Sequence, residues 1–439
     1  MNHAHQTSRR SFIKNSSAAV IGGALATHFV FPQKTFAENS DTLKIGLVGC
    51  GGRGSGAAKD ALTADKNIVL VAMGDAFEDH LKSGLESLKK EEEIANRVKV
   101  DPDHSFVGLD AYQKVIDSGV DVVLLATPPA FRPIHLKAAI AANKHVFCEK
   151  PIATDAPGYR SVRETVAESK KKKLALTAGF CWRSNLAERA AYEKILGGEI
   201  GEVRTMYGTY NTGAARGVIP REPNWSPLEE QLRNWMYYTW LSGDHLVEQA
   251  IHNVDLTNWA MNNKMPTKCM AQGGRQNRSE EMPGNIFDHF AVVYDWDNGA
   301  KGFVFCRQQA GCANDNTETV MGTKGTARIL LFNGVPFITD LAGKRTWKYS
   351  GEPNKPNMYV VEHQELYASI RAGNPRNDGE WLANSTMMGI MGRMAGYTGQ
   401  EITWEQAVNS KENLFPEKLD WNVAPAIPPI AMPGKTPFV

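Results

Sequence analysis

Apolar and polar positions follow two different periodicities along this chain. In the first part, short apolar runs typical of buried strands alternate with helical stretches, beginning with LKIGLVG at 43–49 and continuing with NIVLVAMGDAF at 67–77 and VDVVLLATPP at 120–129. Strands that alternate with helices predict a doubly wound parallel sheet. We therefore expect an α/β domain over residues 41–180, with its ligand-binding loops at the carboxyl ends of the strands.

From about Val203 onward, apolar and polar residues alternate one by one. Runs such as VRTMYGTYN, HFAVVYDWDNG and KGFVFCRQQ, separated by Gly and Asn-Gly turns, predict strands of a largely antiparallel sheet. Two helical stretches, YVVEHQELYASIRAG and NSTMMGIMGRMAGY, follow before a Pro-rich tail. The change of pattern in a chain of 439 residues predicts a second, α+β domain over residues 181–439.

The amino terminus resembles an export signal. Arg9 and Arg10 lie within SRRSFIK, ahead of a weakly apolar segment that ends in small residues near Ala37. This order of basic, apolar and small residues is the pattern of a twin-arginine signal peptide, and a basic N-terminal helix is the alternative. We expect residues 1–37 to direct an already folded protein to the periplasm through the twin-arginine export machinery.

Composition narrows the class of partner. The chain has 49 Lys and Arg against 48 Asp and Glu, so no overall charge attracts nucleic acid or anionic lipid. Six cysteines are too few and too scattered for a disulfide framework, and no C-x-x-C motif is present. Cys306 and Cys312 are close in sequence, and we interpret them as buried thiols. A small-molecule partner is therefore expected.

Glycines follow the first predicted strand with a characteristic spacing. Gly49, Gly51 and Gly54 form G-x-G-x-x-G between a strand and a helix, with Gly52 inside the motif. Gly49 permits a tight turn, and Gly51 lets the backbone approach a pyrophosphate. The helix N-terminus then supplies N–H donors and a positive dipole end. The motif predicts a Rossmann dinucleotide-binding domain.

Two residues bear on the choice between NAD and NADP. Asp75 ends the second predicted strand and can accept both hydroxyls of the adenosine ribose, while it would repel a 2′-phosphate. Arg53, inside the glycine loop, is placed to bind a phosphate and keeps NADP as the less favoured alternative. We expect NAD.

Further candidate residues follow later strands, and they carry a family resemblance. Thr127 and Pro128 end the VDVVLLATPP run, and HVFCEKP places Glu149 and Lys150 at the end of the next strand. The stretch ATPPAFRPIHLKAAIAANKHVFCEKPIATD resembles the Gfo/Idh/MocA oxidoreductases, and we place its His135 among the cofactor-binding residues. The resemblance implies that Glu149 and Lys150 lie against the nicotinamide ribose and the reacting carbon. An exposed turn lysine before a proline is the alternative.

A second constellation lies in SGDHLVEQAIHNVDLTNWAMN. Read as one helix, it puts His245, Glu248, His252 and Asp255 on one face. The resemblance implies a carboxylate four residues before a histidine, a spacing that Glu248 and His252 have, with Glu in place of the family's Asp. His252 could take the hydroxyl proton of an alcohol, Glu248 could orient it, and Lys150 could stabilise the developing oxyanion.

Two other interpretations of this constellation stay open. Histidines and acids on one helix face can form a buried polar network without catalytic function. The same residue types at helical spacing also bind metals such as zinc. We expect no metal, because the dinucleotide and Lys150 already supply the redox chemistry and the electrophile.

Aromatic residues are dense between the two constellations. Their faces, flanked by Arg and Asn, suit the C–H faces of sugar rings, although most of them are expected in the core. Arg183 matches a family position near the pocket and is our candidate for a polar substrate contact. The remaining candidates for the substrate site are Trp182, Tyr238, Trp240 and His245.

The resemblance also implies an open sheet whose bare face a partner subunit covers, so a homo-oligomer is expected.

The first function hypothesis is an exported, NAD-dependent oxidoreductase with tightly bound cofactor. It would act on a secondary hydroxyl of a sugar, a glycoside (at the third carbon) or a cyclitol. The second is a glycosidase that uses transient oxidation and elimination on retained NAD, and the third is a noncatalytic sugar- or metal-binding protein.

Overall fold

The computed structural model describes residues 42–213, 217–278, 282–332 and 334–439. The twin-arginine segment at 1–37 lies outside the described residues, so that interpretation stays a prediction. Within the described ranges, no helix is both long and apolar enough to cross a membrane.

The first part of the described chain forms a six-stranded sheet in which all neighbouring strands are parallel, as the alternating pattern predicts. Its strands are β1 (Leu43–Val48), β2 (Ile68–Asp75), β3 (Ser105–Val107), β4 (Val122–Leu125), β5 (His145–Glu149) and β6 (Leu176–Gly179). Its helices are α1 (Gly52–Ala64), α2 (Glu78–Lys90), α3 (Ala111–Asp117), α4 (Arg132–Ala141) and α5 (Ala156–Lys171).

The strand order β3-β2-β1-β4-β5-β6 places the topological switch between β1 and β4. The chain leaves β1 toward one side of the sheet and crosses to the other side before β4, so the loops after these strands diverge and leave a crevice. The strands are apolar because both faces are covered: Ile45, Leu47, Val122 and Leu124 are fully buried. The crevice is therefore held by a rigid core.

The second part is built on a nine-stranded sheet in the order β14-β13-β12-β11-β7-β10-β9-β8-β15, counted over the described residues. Pairing is antiparallel except between β7 and β10, which confirms the prediction of a mostly antiparallel sheet. Its strands are β7 (Val203–Thr212), β8 (Lys268–Gly274), β9 (His289–Asp295), β10 (Lys301–Gln308), β11 (Asp315–Gly322), β12 (Gly325–Leu330), β13 (Phe337–Asp340), β14 (Arg345–Lys348) and β15 (Ile402–Thr403).

Helices cover one face of this sheet. In chain order the helices of the second part are α6 (Leu186–Leu196), α7 (Pro227–Arg233), α8 (Thr239–Ser242), α9 (His245–Glu248), α10 (Ile251–Ala260), α11 (Met358–Arg371), α12 (Gly379–Thr398) and α13 (Trp404–Asn409). Of these, α6, α10 and α12 pack on the sheet, whereas α11 packs on α1 and β6 of the first part. The Tyr294 hydroxyl of β9 donates to the Met388 carbonyl of α12 at 2.8 Å, and the Asn253 amide of α10 donates to the Thr317 carbonyl of β11 at 2.8 Å. Alternate strand residues point into this layer.

The opposite face of the sheet is only partly covered. Tyr207, Met270 and Met321 are each at least 40% exposed there. Cys306 is buried, whereas Cys312, beyond the end of β10, is exposed. The interpretation of both cysteines as buried thiols is therefore wrong for Cys312, because it lies in the connection to β11 and not in a strand.

Candidate active site

The glycine loop leaves open space at the start of α1. Gly49 has φ +93°, and a Cβ there would lie 2.8 Å from the Ala126 carbonyl carbon. A Cβ on Gly54 would lie 1.8 Å from the Gly49 oxygen, so both positions need glycine. Side chains at Gly51 and Gly52 would meet nothing within 4 Å. The N–H groups of the helix start therefore face a cradle that fits a pyrophosphate.

A cleft of about 220 Å³ extends from this cradle across the switch point. All the predicted cofactor-binding residues line it except Glu149 and Lys150. Phe77, Tyr112, Phe131 and Trp235 also line it and were not predicted. Sequence periodicity cannot distinguish such cleft residues from core aromatics, because both occupy the buried ends of the same elements.

Asp75 is fixed at the end of β2. Its carboxylate accepts from the main-chain N–H of Cys50 at 2.6 Å and from that of Phe77 at 2.9 Å, and the His80 ring nitrogen lies 3.6 Å away. The carboxylate therefore lies at the lip of the cleft, where a ribose would present its hydroxyls.

Arg53 already forms ion pairs and a ring contact within the protein. Its Nε lies 2.8 Å from the carboxylate of Glu149, its Nη2 lies 3.3 Å from Asp60, and its guanidinium lies 4.7 Å from the centre of the Tyr359 ring. Glu149 is buried, so its carboxylate pairs with Arg53 across the glycine loop. A phosphate at this loop would have to compete with an ion pair already formed.

Thr127 and His135 meet on the other wall of the cleft. The Thr127 hydroxyl and the His135 Nδ1 are hydrogen-bonded at 3.2 Å, and the imidazole stacks on Tyr112 at 4.2 Å. Burial, together with the positive charge of Arg132, lowers the pKa of His135 to about 3. The imidazole is therefore neutral at physiological pH and contributes shape and hydrogen bonding, with no charge.

Lys150, Glu248 and His252 come together beyond β5. The Lys150 ammonium donates to the main-chain carbonyl of Glu248 at 2.7 Å and lies 3.5 Å from its carboxylate. Burial lowers the pKa of His252 well below its ordinary value, and the nearby Lys150 ammonium lowers it further. A neutral imidazole beside an ammonium is a pair that can accept a proton and stabilise an anion.

The structure places His245 and Glu248 on a different helix from His252 and Asp255. The helix is not continuous: α9 ends at Glu248, and α10 begins at Ile251. His245 instead contacts Asp244, whose carboxylate caps α9 by accepting from the His245 N–H at 2.5 Å. The single-helix prediction is thus wrong: α9 begins at the Asp244 cap and closes at its C-cap, Gln249, two residues before α10 begins. Glu248 contacts Lys150, and the Lys150 charge acts on His252, so both predicted residues are linked to the lysine.

Arg183 lies in a buried network with Asp255. Its Nε and Nη2 each donate to the Asp255 carboxylate at 2.8 Å, and its guanidinium stacks between Trp381 and Trp259. Nη2 also donates to Asn263 at 2.8 Å. These contacts give Arg183 a structural role within the second domain, and the substrate contact expected of it stays a prediction.

Tyr238 and Trp240 pack in a buried cluster behind the cleft wall. The Trp240 indole donates to Gln231 at 2.7 Å and meets Phe131 edge to face at 6.3 Å. Burial raises the pKa of Tyr238 to about 12. Both predicted substrate residues therefore support Phe131, which lines the cleft.

Three aromatic rings form a wall near His252, and we call Trp182, Tyr210 and Phe332 the aromatic wall. Tyr210 stacks near the His252 ring at 6.4 Å, and Phe332 contacts both Tyr210 at 6.4 Å and Trp182 at 5.1 Å. Phe332 is 54% exposed, so the wall has an open side. Tyr210 and Phe332 were missed, because the register of β7 and the loop after β12 bring them to His252.

Metal binding finds no support among the described residues: no group of three or more His, Cys, Asp or Glu side chains there is arranged to hold an ion. The fold and the site instead define an oxidoreductase that binds a dinucleotide.

Family comparisons agree with that class. Residues 43–180 match the oxidoreductase family's NAD-binding Rossmann fold, and residues 189–328 match the GFO/IDH/MocA C-terminal domain. Together the two matches cover more than half of the chain. The protein belongs to the GFO/IDH/MocA family and is an NAD(P)-dependent oxidoreductase that acts on CH–OH groups.

Individual relatives are distant but cover most of the chain. The myo-inositol 2-dehydrogenase of Thermotoga maritima is 24% identical over 369 residues, which is 83% of this chain and 97% of the relative. Levoglucosan dehydrogenase, solved with NADH and levoglucosan, superposes with a TM-score of 0.65 at 18% identity, covering 82% of this chain and 99% of that one. The aldose-aldose oxidoreductase of Caulobacter crescentus gives 0.64 at 18% identity with the same coverage. The two superpositions show the shared fold.

Proposed function

We propose that this protein oxidises a secondary hydroxyl of a sugar, a glycoside or a cyclitol, using an NAD that it holds tightly. The observation that carries the proposal is the meeting of Lys150 with Glu248 and His252 at the end of β5. Relatives named for inositol and levoglucosan act on cyclic compounds rich in secondary hydroxyls. For glycosides, the third carbon is our preferred position.

The chemistry divides between two side chains. His252 is neutral because burial and Lys150 disfavour its charged form, so its imidazole can accept the hydroxyl proton. Lys150, oriented by the Glu248 carbonyl, stabilises the negative charge that develops on the oxygen. NAD, when bound, supplies the acceptor for the hydride. The hydroxyl proton that His252 receives would leave through the aromatic wall's open side.

The aromatic wall gives the proposed site its substrate class. Sugar and cyclitol rings present C–H faces that pack on aromatic rings, while their hydroxyls bind polar neighbours. Trp182 and Tyr210 are nearly buried, whereas Phe332 is exposed. Trp182 and Tyr210 would therefore position the substrate, and the Phe332 ring could close over it.

Two features support NAD over NADP. The carboxylate of Asp75 is held in place by two main-chain N–H groups, so it cannot easily turn away from a 2′-phosphate. Arg53, the cation nearest to the glycine loop in sequence, is paired with Glu149.

We further propose that the protein is exported by the twin-arginine route to the periplasm with NAD already bound. A compartment without a free NAD pool favours a cofactor that is regenerated in place.

The half-exposed face of the nine-stranded sheet, with Tyr207, Met270 and Met321, supports a homo-oligomer through that face.

The second candidate function is glycoside cleavage by transient oxidation and elimination. One observation favours it: Tyr210 lies beside His252, so the site holds a second group able to transfer a proton. Burial, with the nearby Glu248 carboxylate, raises the pKa of Tyr210, so its hydroxyl stays protonated.

One experiment separates these possibilities. Protein purified without added nucleotide is denatured to identify the released cofactor, and intact protein is titrated with inositols and glycosides while absorbance at the NADH band is followed. NADH formation supports the oxidoreductase, and aglycone release without net NADH supports the glycosidase. Failure to bind any nucleotide would leave only a noncatalytic binding protein.

A further inference from the structure

A small cavity with both polar and apolar walls adjoins the catalytic cluster. Its volume is about 10 Å³, which is room for one oxygen atom. Glu248 lines it together with His245, Arg278 and Gln308. Because Glu248 also contacts Lys150, the cavity lies next to the proposed reaction site.

Arg278 is a buried cation without a carboxylate partner among the described residues. It is 7% exposed, its Nη2 donates to Gln308 at 2.5 Å, and its Nε is buried without a hydrogen-bond partner. Among the described residues, the carboxylate nearest to Arg278 in sequence is Asp288. It accepts from the main-chain N–H groups at 276–278 and pairs with the His289 ring at 2.7 Å. A guanidinium buried in this way is costly unless a ligand supplies the opposite charge.

His245 adds a second donor to the same cavity. Its Nδ1 lies 3.1 Å from the Asp244 carboxylate, and its Nε2 is buried without a hydrogen-bond partner. Burial alone would lower the pKa of His245, but the Cys306 sulfur and the Asp244 carboxylate raise it to about 10. The ring is therefore protonated, and its Nε2–H is available to an acceptor.

The remaining charge in the cavity wall is already compensated. The Glu248 carboxylate lies 3.5 Å from the Lys150 ammonium, and Asp244 accepts from the Tyr397 hydroxyl at 2.5 Å and from the Phe287 N–H at 2.8 Å. Counted over the residues that the structure describes, Arg278 thus leaves an excess of positive charge at the cavity.

We propose that this cavity is a carboxylate subsite, and that the natural substrate is an acidic sugar or cyclitol derivative such as a uronoside. One carboxylate oxygen would occupy the cavity and accept from Arg278 and His245, while a ring hydroxyl lies at Lys150 and His252. The inference rests on the proposed function and specifies its substrate class.

The test compares two compounds that differ only at the sixth carbon, methyl glucoside and methyl glucuronoside. We expect the wild-type protein to prefer the glucuronoside at least tenfold in kcat/KM. Arg278→Gln should raise the KM for the glucuronoside about 10- to 100-fold with kcat little changed, since a charge-assisted bond is lost, and should leave the glucoside within about threefold. Arg278→Lys should restore part of the preference.

Arg307→Gln is the matched control, because Arg307 precedes Gln308 on β10 and points to the opposite face of the strand. Equal use of both compounds by the wild-type protein, or equal effects of Arg278→Gln and Arg307→Gln, would overturn the carboxylate subsite while leaving the oxidoreductase intact.

If neither compound is oxidised, calorimetric titration decides the matter. Glucuronoside that binds the NAD-loaded protein and loses affinity in Arg278→Gln supports the subsite independently of turnover. Absence of that difference overturns it. Thermal melts of each variant show whether the fold is kept.

Discussion

The ammonium of Lys150 is held by the main chain of Glu248 more closely than by its side chain: the carbonyl oxygen lies at 2.7 Å and the carboxylate at 3.5 Å. The end of α9 therefore positions the lysine by backbone geometry, and the carboxylate contributes charge at longer range. This division explains how a glutamate can stand where the family resemblance implied an aspartate, since the extra methylene does not move the carbonyl.

Glu248→Gln should therefore be mild, and Lys150→Met severe. The amide keeps the main-chain carbonyl in place, so we expect kcat to fall by less than about tenfold. Loss of the ammonium should lower kcat by about 10² to 10⁴-fold while NAD still binds. Steady-state kinetics with cofactor titration measure both, and Lys150→Arg serves as the charge-preserving control. Comparable losses in Glu248→Gln and Lys150→Met would contradict the backbone-positioning account.

His252→Ala should lower turnover about 10² to 10⁴-fold, because the proton acceptor is removed. In Lys150→Met, the pKa of His252 should rise, since a positive neighbour that disfavours the imidazolium is gone. NMR of ring-labelled histidine across a pH titration follows this residue, with His252→Ala to assign its signal. If the pKa of His252 were the same in Lys150→Met as in the wild-type protein, the Lys150 charge would not act on His252, which would contradict this prediction.

Asp75→Ser should relax the preference for NAD. The carboxylate at the cleft lip repels a 2′-phosphate, and its removal should improve the affinity for NADP relative to NAD about tenfold, or about 1.4 kcal/mol. Calorimetric titration with each nucleotide measures the change. Glu78→Gln, which removes an exposed acid three residues later, is the control. Wild-type protein that already binds NADP more tightly would contradict the role given to Asp75.

Glu318 should make the protein less stable as pH rises. Burial raises the pKa of this carboxyl in β11 to about 8, against the hydrogen bonds donated by Thr257 and Asn253. In the unfolded state the Glu318 carboxyl ionises near pH 4.5, whereas in the folded state it ionises only near pH 8. The free energy of unfolding therefore falls as the pH rises from about 4.5 to about 8, and it stays constant at higher pH. From about pH 5 to about pH 8 this carboxyl accounts for a loss of roughly 4 kcal/mol.

Glu318→Gln should remove that slope, since an amide does not ionise. Urea unfolding at several pH values compares the variant with the wild type. Parallel curves for the two proteins would show that Glu318 is already charged in the folded state.

Export should depend on the paired arginines at the amino terminus. Replacing Arg9 and Arg10 by lysine should leave a folded, active enzyme in the cytoplasm, because the twin-arginine machinery reads the pair itself. Activity in periplasmic and cytoplasmic fractions gives the answer. Periplasmic activity that is undiminished in the variant would refute the twin-arginine interpretation.

The nucleotide-binding half of the site could be predicted from short stretches of the sequence. The positions of Gly49 and Gly54 follow from a positive φ and a backbone contact, and Asp75 follows from where an apolar strand ends. The glycine spacing and the end of the strand are visible in a short stretch of sequence, so the sequence alone reveals these residues. The fold class follows for the same reason, because strand and helix periodicities are local.

The substrate half depends on contacts between distant residues. Arg183 pairs with Asp255, 72 positions later, and Tyr210 reaches His252 only through the register of β7 within the large sheet. The start of α9 depends on the Asp244 cap, whose other carboxylate oxygen accepts from the Phe287 N–H on a separate segment. No periodicity in the sequence encodes such pairings.

The ion pair between Arg53 and Glu149 has a consequence for engineering. It clamps the loop that would carry the nucleotide phosphates to the strand end that carries Lys150, one residue after Glu149. Replacing Arg53 to change the preference between NAD and NADP would leave the buried Glu149 carboxylate without its cation. The strand end that carries Lys150 would then be held less firmly. Cofactor selectivity and catalytic rate are therefore coupled traits in this scaffold, and a library that varies residue 53 should vary residue 149 with it.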